Sequence, residues 1–346
     1  MTGRYSSEQY QFLFDADAAL TAHETLRLRN QQVLLYRTKT IKAGNTLELE
    51  IFPVWDTANQ VRIAKALRSP EKLRWQNEKH ARKRFVRKAN ANFGPEDITI
   101  TLDYADEPLT WEQAQKDIRN YLRRIKAYRQ RHSLSELKYI YTTAGGAPTG
   151  IGDTLTRIHH HVIMSGMDRD TAERLWTHGK HPHCRRLQID DKDGLAGLAT
   201  YFFRQRRGDP TPADSSADID GKLTSRQHRR WNCSKNLVEP QITSSDHKIS
   251  RRRAARMAVD METAPREILT GIYTDYELAD IEIKTSPYVA GYYIYARLYR
   301  KPPPKKAEKV PRKGGAQCHQ ATQGDTKPRR HVRSAPARTK PKSKSS

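Results

Sequence analysis

Polar and apolar positions alternate in "DITITLDYAD", which starts at Asp97, and the alternation with β-branched residues predicts a strand. The period then changes. In "TWEQAQKDIRNYLRRIKAYRQRHS" the residues Trp111, Ile118, Leu122 and Ile125 recur near helical spacing, with Thr110 placed to cap the helix. "ELKYIYTT" predicts a second strand. "AGGAPTGIGDTLT" reads as a loop in which Gly145, Gly146, Gly150 and Gly152 form turns. "RIHHHVIMSG", residues 157–166, predicts a third strand, antiparallel to the second. "DRDTAERLWTHG" reads as a short helix capped by Asp168. "GLAGLATYFFRQ" reads as another, with Leu195, Leu198 and Phe202 on one side and Tyr201 beside them. Strand, helix, strand, strand, helix, helix predicts an α+β domain: an antiparallel sheet with helices packed on one face.

The flanks are less patterned. Residues 1–60 hold two candidate short strands, "TLRLRNQQVLLYRT" and "NTLELEIFPVW", and no evident chemistry. Residues 61–96 are basic and helix-prone, with Pro70 marking a break. Residues 97–207 form the expected core and 208–228 a polar linker or insertion. In 229–300, "RRAARMAVDMETAPREILTGIYTDYELADIEI" looks helical and "YVAGYYIYARLYR" looks like a final strand. Residues 301–346 carry 14 Lys/Arg against Glu308 and Asp325, and read as a disordered basic tail.

Charge narrows the partners. The 346 residues carry a formal net charge of +24, half of it in the tail, and only 36% are hydrophobic. Such an excess favours a polyanion, nucleic acid first, because each neutralised phosphate releases counterions. No apolar run approaches the ~18 residues of a spanning helix, so a membrane is not expected. Cys184, Cys233 and Cys318 lie far apart and the N-terminus lacks a signal-peptide pattern, which suits a reducing cytoplasm. The glycine loop lacks the Lys-Ser/Thr ending of a phosphate-binding loop, so nucleotide binding and ATP hydrolysis are not expected. The cluster Arg82, Lys83, Arg84, Arg87 and Lys88, with Phe85 among the charges, is a candidate track for a phosphate backbone. Tyr288, Tyr292, Tyr293, Tyr295 and Tyr299 read first as strand packing and second as stacking platforms for bases.

The three histidines raise the chemical question. Alternate residues of a strand share a face, so His159 and His161 point one way and His160 points with Val162 and Met164. Two imidazoles side by side on a strand begin a divalent-metal site. His160 reads as packing. "HGKHPHC" (178–184) matches no common zinc module and reads as a polar loop.

Taken in order, "ITITLDY" (98–104), "RIHHHVIM", "GLATYFFRQ" and "WNCSKNL" (231–237) resemble motifs of the HUH endonucleases, within them the single-tyrosine rolling-circle replication initiators of bacterial plasmids, phages and integrative elements. The resemblance spans roughly residues 62–300 and implies an HUH/Rep-type, RRM-like core. It implies that His159 and His161 hold Mg²⁺ or Mn²⁺ and that Tyr201 is the nucleophile. The implied reaction is nicking and rejoining of single-stranded DNA through a 5′-phosphotyrosine that leaves a free 3′-OH. The implied partners are single-stranded and origin DNA and a host helicase and polymerase, in a bacterial cytoplasm. Family members often carry a glutamate as third ligand. Its place falls near Thr143 or Ala144, leaving Asp153 or Asp103 as substitutes. Arg204 stands where a lysine is common, and Gln205 stands where two-tyrosine members have their second nucleophile. Arg206, Arg207 and Lys235 join the candidate DNA contacts. The alternatives are a single-strand transposase of the same chemistry and a non-catalytic nucleic-acid-binding relative.

Overall fold

The computed structural model describes residues 32–55, 70–106, 110–145, 157–179, 182–204, 230–286 and 289–302, together with Gln11 and Phe14. Asp153, Arg206, Arg207, Tyr288, the 208–228 stretch and the tail from 303 onward lie outside them, as does the side chain of Arg204.

Among the described residues ten strands fall into two five-stranded antiparallel sheets. The segments near the two ends of the described chain build the first. β1 (Val33–Ala43) and β2 (Thr46–Trp55) form a hairpin, joined by β8 (Gln241–Ser245), β9 (Tyr276–Lys284) and β10 (Tyr293–Arg300) in the order β8-β1-β2-β10-β9. The hairpin turns on Gly44 and Asn45. Gly44 takes φ +58, and a Cβ there would sit 2.2 Å from the Asn90 carbonyl oxygen, so glycine is required twice over. Leu47, Leu49, Ile51, Ile294, Ala296 and Leu298 face α5 (Arg251–Val259) and α6 (Ala264–Ile272), whose Ala254, Met257, Ile268 and Leu269 close this core. The 276–284 stretch, expected to continue a helix, is a strand. Its alternation of Leu278, Ile281 and Ile283 with charged residues suits a half-buried edge, and pairing with β10 overrides local helix propensity.

The second sheet holds the histidines. Its strands are β3 (Ile98–Asp103), β4 (Tyr139–Ala144), β5 (His159–Met164), β6 (His183–Arg186) and β7 (Asn232–Cys233), in the order β6-β3-β5-β4-β7. β3 and β4 each pair antiparallel with β5, so they run parallel to each other with β5 between them. That is a split β-α-β arrangement, closed by α2 (Trp111–Arg131) between β3 and β4 and α3 (Arg169–Arg174) between β5 and β6. Both helices start on the expected caps: Thr110 Oγ1 accepts from Gln113 N and Asp168 from Thr171 N. α2 and α3 cover one face of the sheet, with Ile118, Tyr121, Ile125 and Trp176 packed on Ile100, Leu102, Val162 and Met164.

The other face is covered too. α1 (Pro70–Asn92) and α4 (Ala196–Arg204) bring Phe85, Ala89, Phe202 and Phe203 against Ile140 and Ile163. The expectation of helices on one face only is therefore corrected. Ile140 of β4 and Ile163 of β5 form an apolar patch on this second face, and that patch needs a cover. α1 is the middle layer of the molecule. Its Ala81, Phe85 and Ala89, four residues apart, face the histidine sheet, while Lys83, Arg87 and Asn90 face the first sheet. Among the described residues no helix is long and apolar enough to cross a membrane.

Candidate functional site

Register fixes which side chains share the histidine face. Along β5, His160 sits opposite Leu102 and Thr143, whereas His161 sits opposite Thr101 and Thr142, and His159 opposite Asp103 and Ala144. His160 therefore points toward α2. It is fully buried, bonded to the Tyr104 hydroxyl (2.9 Å) and to Thr143 Oγ1 (2.9 Å), and packed edge-on to Trp176. Burial pushes its pKa down from the ordinary 6.5 to about 3. It is a satisfied core residue, as expected.

His159 and His161 point to the opposite face, toward α4, with ring centroids 4.8 Å apart. The His159 Nδ1–H donates to the Arg157 carbonyl at 2.9 Å, which leaves Nε2 as the lone-pair nitrogen. His161 Nδ1 lies 3.1 Å from Thr101 Oγ1. Its ring is only 1% exposed, and among the described residues its Nε2 has no hydrogen-bond partner. Burial lowers its pKa to about 3, so the ring is neutral at physiological pH. An orphaned, neutral, buried imidazole nitrogen is costly unless something fills the position.

α4 brings Tyr201 to this place. The turn before it is held by Asp190 Oδ1, which accepts from Lys192 N and Asp193 N at 2.8 Å, and by Gly194 at φ +59. Leu195, Ala199, Phe202 and Phe203 bury one side of the helix. Phe202 stacks on the His161 ring at 4.8 Å with an interplanar angle of 11°. Tyr201, one residue earlier, flanks that stripe. Its ring centroid is 5.2 Å from that of His161, and it is 48% exposed. A buried imidazole thus faces a phenol on a half-open surface. Arg82 stands beside it, exposed, donating to Thr200 Oγ1.

The residues present suit a divalent cation in part. Two imidazoles, each oriented by a bond to its Nδ1 so that Nε2 is left to bind, are half of a ligand set. Among the described residues no group of three His, Cys, Asp or Glu side chains comes together. Asp103, exposed, is opposite His159 in register, while Asp153 lies outside the described residues. On the site face β4 supplies Ala144 and Thr142. The Thr142 Oγ1, beside His161 in register, is also buried with no partner among the described residues. Thr143 faces the other way.

The candidate DNA contacts on α1 divide sharply. Arg82 and Arg84 are exposed. Arg87 is not free for phosphate. It is buried between the sheets, bonded through Nη2 to Glu48 and Glu50 at 2.7 Å each. Lys83 lies 4.2 Å over the Tyr295 ring, and Lys88 pairs with Glu239. A basic run on a helix that serves as a middle layer must turn some of its cations inward, and there each meets a carboxylate or a ring. Lys235 is exposed. Tyr295 and Tyr299 bond Glu48 and Glu277, and Tyr293 is fully buried, so these rings pack and do not offer themselves to bases.

In the 178–184 stretch, His178 lies 3.7 Å from Asp117, and His183 and Cys184 belong to β6. Burial pushes the Cys184 thiol up to about 12. Sequence reasoning missed Thr101, Thr142 and Phe202 as parts of the site. The pairing of strands places the first two, which no local pattern announces. Phe202 was legible only as core. No protein-family model, no curated protein and no solved structure matches the chain.

Proposed function

We propose that the chain is a metal-dependent DNA nickase and strand transferase of the HUH type, a single-tyrosine rolling-circle replication initiator. The observation that carries this reading is the meeting of His159, His161 and Tyr201 on one face of one strand-and-helix unit, with the His161 Nε2 buried and unpartnered. The strand order β6-β3-β5-β4 around α2 and α3 fits an RRM-like core with the paired histidines on its central strand.

The chemistry asks for a nucleophile that stores the energy of the phosphodiester bond. The Tyr201 hydroxyl gives up its proton as its oxygen bonds to the scissile phosphorus, the P–O3′ bond breaks, and the departing 3′ oxygen takes up a proton. The protein is left joined to the 5′ phosphate, and a 3′-OH can later reverse the step and reseal the strand. His159 and His161 would hold Mg²⁺ or Mn²⁺, which when bound supplies Lewis-acid polarisation of the phosphate oxygens. Thr101 and the stacked Phe202 fix the His161 ring, α4 fixes the phenol, and Arg82 draws the phosphate toward both.

Incubation with a randomised single-stranded oligonucleotide pool and Mn²⁺ tests the reading. An adduct that survives SDS, vanishes in Tyr201→Phe and vanishes in His161→Ala supports it. A second reading, a nucleic-acid-binding protein without catalysis, is favoured by the ligand set of only two among the described residues. DNA binding with neither cleavage nor adduct in the presence of Mg²⁺ or Mn²⁺ would select it.

A further inference from the structure

Lys116, Arg119, Arg123 and Lys126 follow one another at steps of three and four residues along α2, and all four are exposed. Such spacing places them in a single row on the outer side of the helix, about 15 Å from first to last at 1.5 Å per residue. The inner side of the helix is the apolar row of Ala114, Ile118, Tyr121, Leu122 and Ile125. Gln130 continues the outer row and Arg131 follows it.

These four residues are all cations. Among the described residues no carboxylate pairs with any of the four. Arg123 donates only to Asn120 Oδ1, at 2.7 Å. Glu112 is the one acid on the row, in the first turn, where the helix dipole favours it. Several exposed or half-exposed cations elsewhere are paired with carboxylates. Arg37 pairs with Asp246, Arg256 with Glu267, Lys284 with Glu282, and Arg297 with Asp193 and Asp280. Like charges three and four residues apart work against the helix that holds them. A run of four cations held against that cost suits a polyanion.

We propose that the outer face of α2 is a second DNA-binding surface, which takes the phosphate backbone of duplex DNA adjoining the strand held at the histidine face. The row begins near the edge formed by the strand ends at His159. Near its first turn, Gln115 Nε2 donates to Thr143 Oγ1, at the end of β4 that lies opposite His159 and His160. From there the row runs away from that edge over the back of the sheet. A duplex is favoured over a single strand because the row holds cations and amides but no exposed aromatic ring. Single-strand surfaces stack bases, whereas a duplex hides its bases and offers phosphates. The rings of this helix outside its buried row, Trp111 and Tyr128, are half-buried, and Tyr128 packs on His132 at 4.1 Å. The proposal requires that the chain bind DNA, and does not require that it cut it.

The test uses the full chain and fluorescence anisotropy of a short labelled duplex across a salt series. Four substitutions, Lys116→Gln, Arg119→Gln, Arg123→Gln and Lys126→Gln, keep helix propensity at exposed positions. A control variant removes the same charge from α5 through Arg251→Gln, Arg252→Gln, Arg253→Gln and Arg256→Gln. The α2 variant should lower the slope of log K against log salt by about 3–4, at ~0.9 per lost phosphate contact, and the control by less than about 1. Equal losses in both variants, or an unchanged slope in the α2 variant, overturn the proposal. Adduct formation on a short single strand is measured in parallel. Its absence in the wild type sinks the nickase reading alone, since the duplex slopes are read independently.

Discussion

Removing the Arg87 guanidinium separates a structural from a DNA-contacting role for the basic stretch of α1. Arg87 bonds Glu48 through Nε (3.0 Å) and Nη2 (2.7 Å), and Glu50 through Nη2 (2.7 Å). Glu48 also accepts from the Tyr295 hydroxyl at 3.0 Å, and Lys39 lies 3.4 Å from Glu50. Both carboxylates are buried, on adjacent outward positions of β2. In Arg87→Met, two buried negative charges lose their shared partner. Breaking a buried pair from one side costs about 3–5 kcal/mol. For a folded part of this size that lowers Tm by on the order of 10 °C. Urea unfolding followed by circular dichroism measures it. Arg84→Met, exposed on the same helix, should change stability by less than about 0.5 kcal/mol. Adding Glu48→Gln to Arg87→Met should restore part of the loss, because one uncompensated charge is gone. If Arg87→Met leaves stability unchanged and weakens DNA binding instead, the buried network is wrong and so is the layering built on it.

Other perturbations have equally definite outcomes. Burial holds His160 and His161 near 3, so below pH 6.5 the unfolded chain takes up protons that the folded chain refuses. Stability is then complete above pH 6.5 and falls as pH drops toward 3, by up to about 1.4 kcal/mol per unit for each histidine. Urea midpoints at pH 7, 6 and 5 should show this, and His160→Leu should remove about half of the slope. Asn90 accepts from Leu195 N at 2.8 Å and donates to Thr46 Oγ1 at 3.3 Å, tying the entrance of α4 to the first sheet. Asn90→Ala should cost about 1–3 kcal/mol by leaving that amide unpaired, visible as a lower urea midpoint. Phe202→Ala should cost about 3–5 kcal/mol and, by releasing the His161 ring, weaken Mn²⁺ binding measured by electron paramagnetic resonance. Unchanged Mn²⁺ binding in that variant would show that the stacking does not orient the ligand.

Much of the histidine sheet was legible because its signals are local. Alternation marked β3, helical spacing marked α2, and Thr110 and Asp168 announced their caps. The His159/His161 face followed from strand period alone. What escaped depends on distant pairing. Residues 33–55 and 241–300 build one sheet, yet nothing within either segment states that they meet. The Gly44-Asn45 turn between two apolar runs was the available hairpin signal for β1 and β2. The 276–284 strand was hidden by residues that also tolerate a helix. The direction of each cation on α1 was hidden as well, because a helix packed on two sides keeps only a narrow solvent face, here that of Arg82 and Arg84, which charge alone does not mark out. The buried Glu48 and Glu50 are the partners that decide it, and they lie almost 40 residues earlier in the chain.

The central claim is that Tyr201 forms a covalent bond to DNA beside His159 and His161. After reaction with single-stranded DNA and Mn²⁺, exhaustive nuclease and trypsin digestion and mass spectrometry read it directly. The tryptic peptide of residues 193–204 should carry a nucleotide phosphate on Tyr201, and should lose it in His161→Ala. A phosphate on any other tyrosine, or an unmodified peptide under conditions where the strand is cut, would contradict the account.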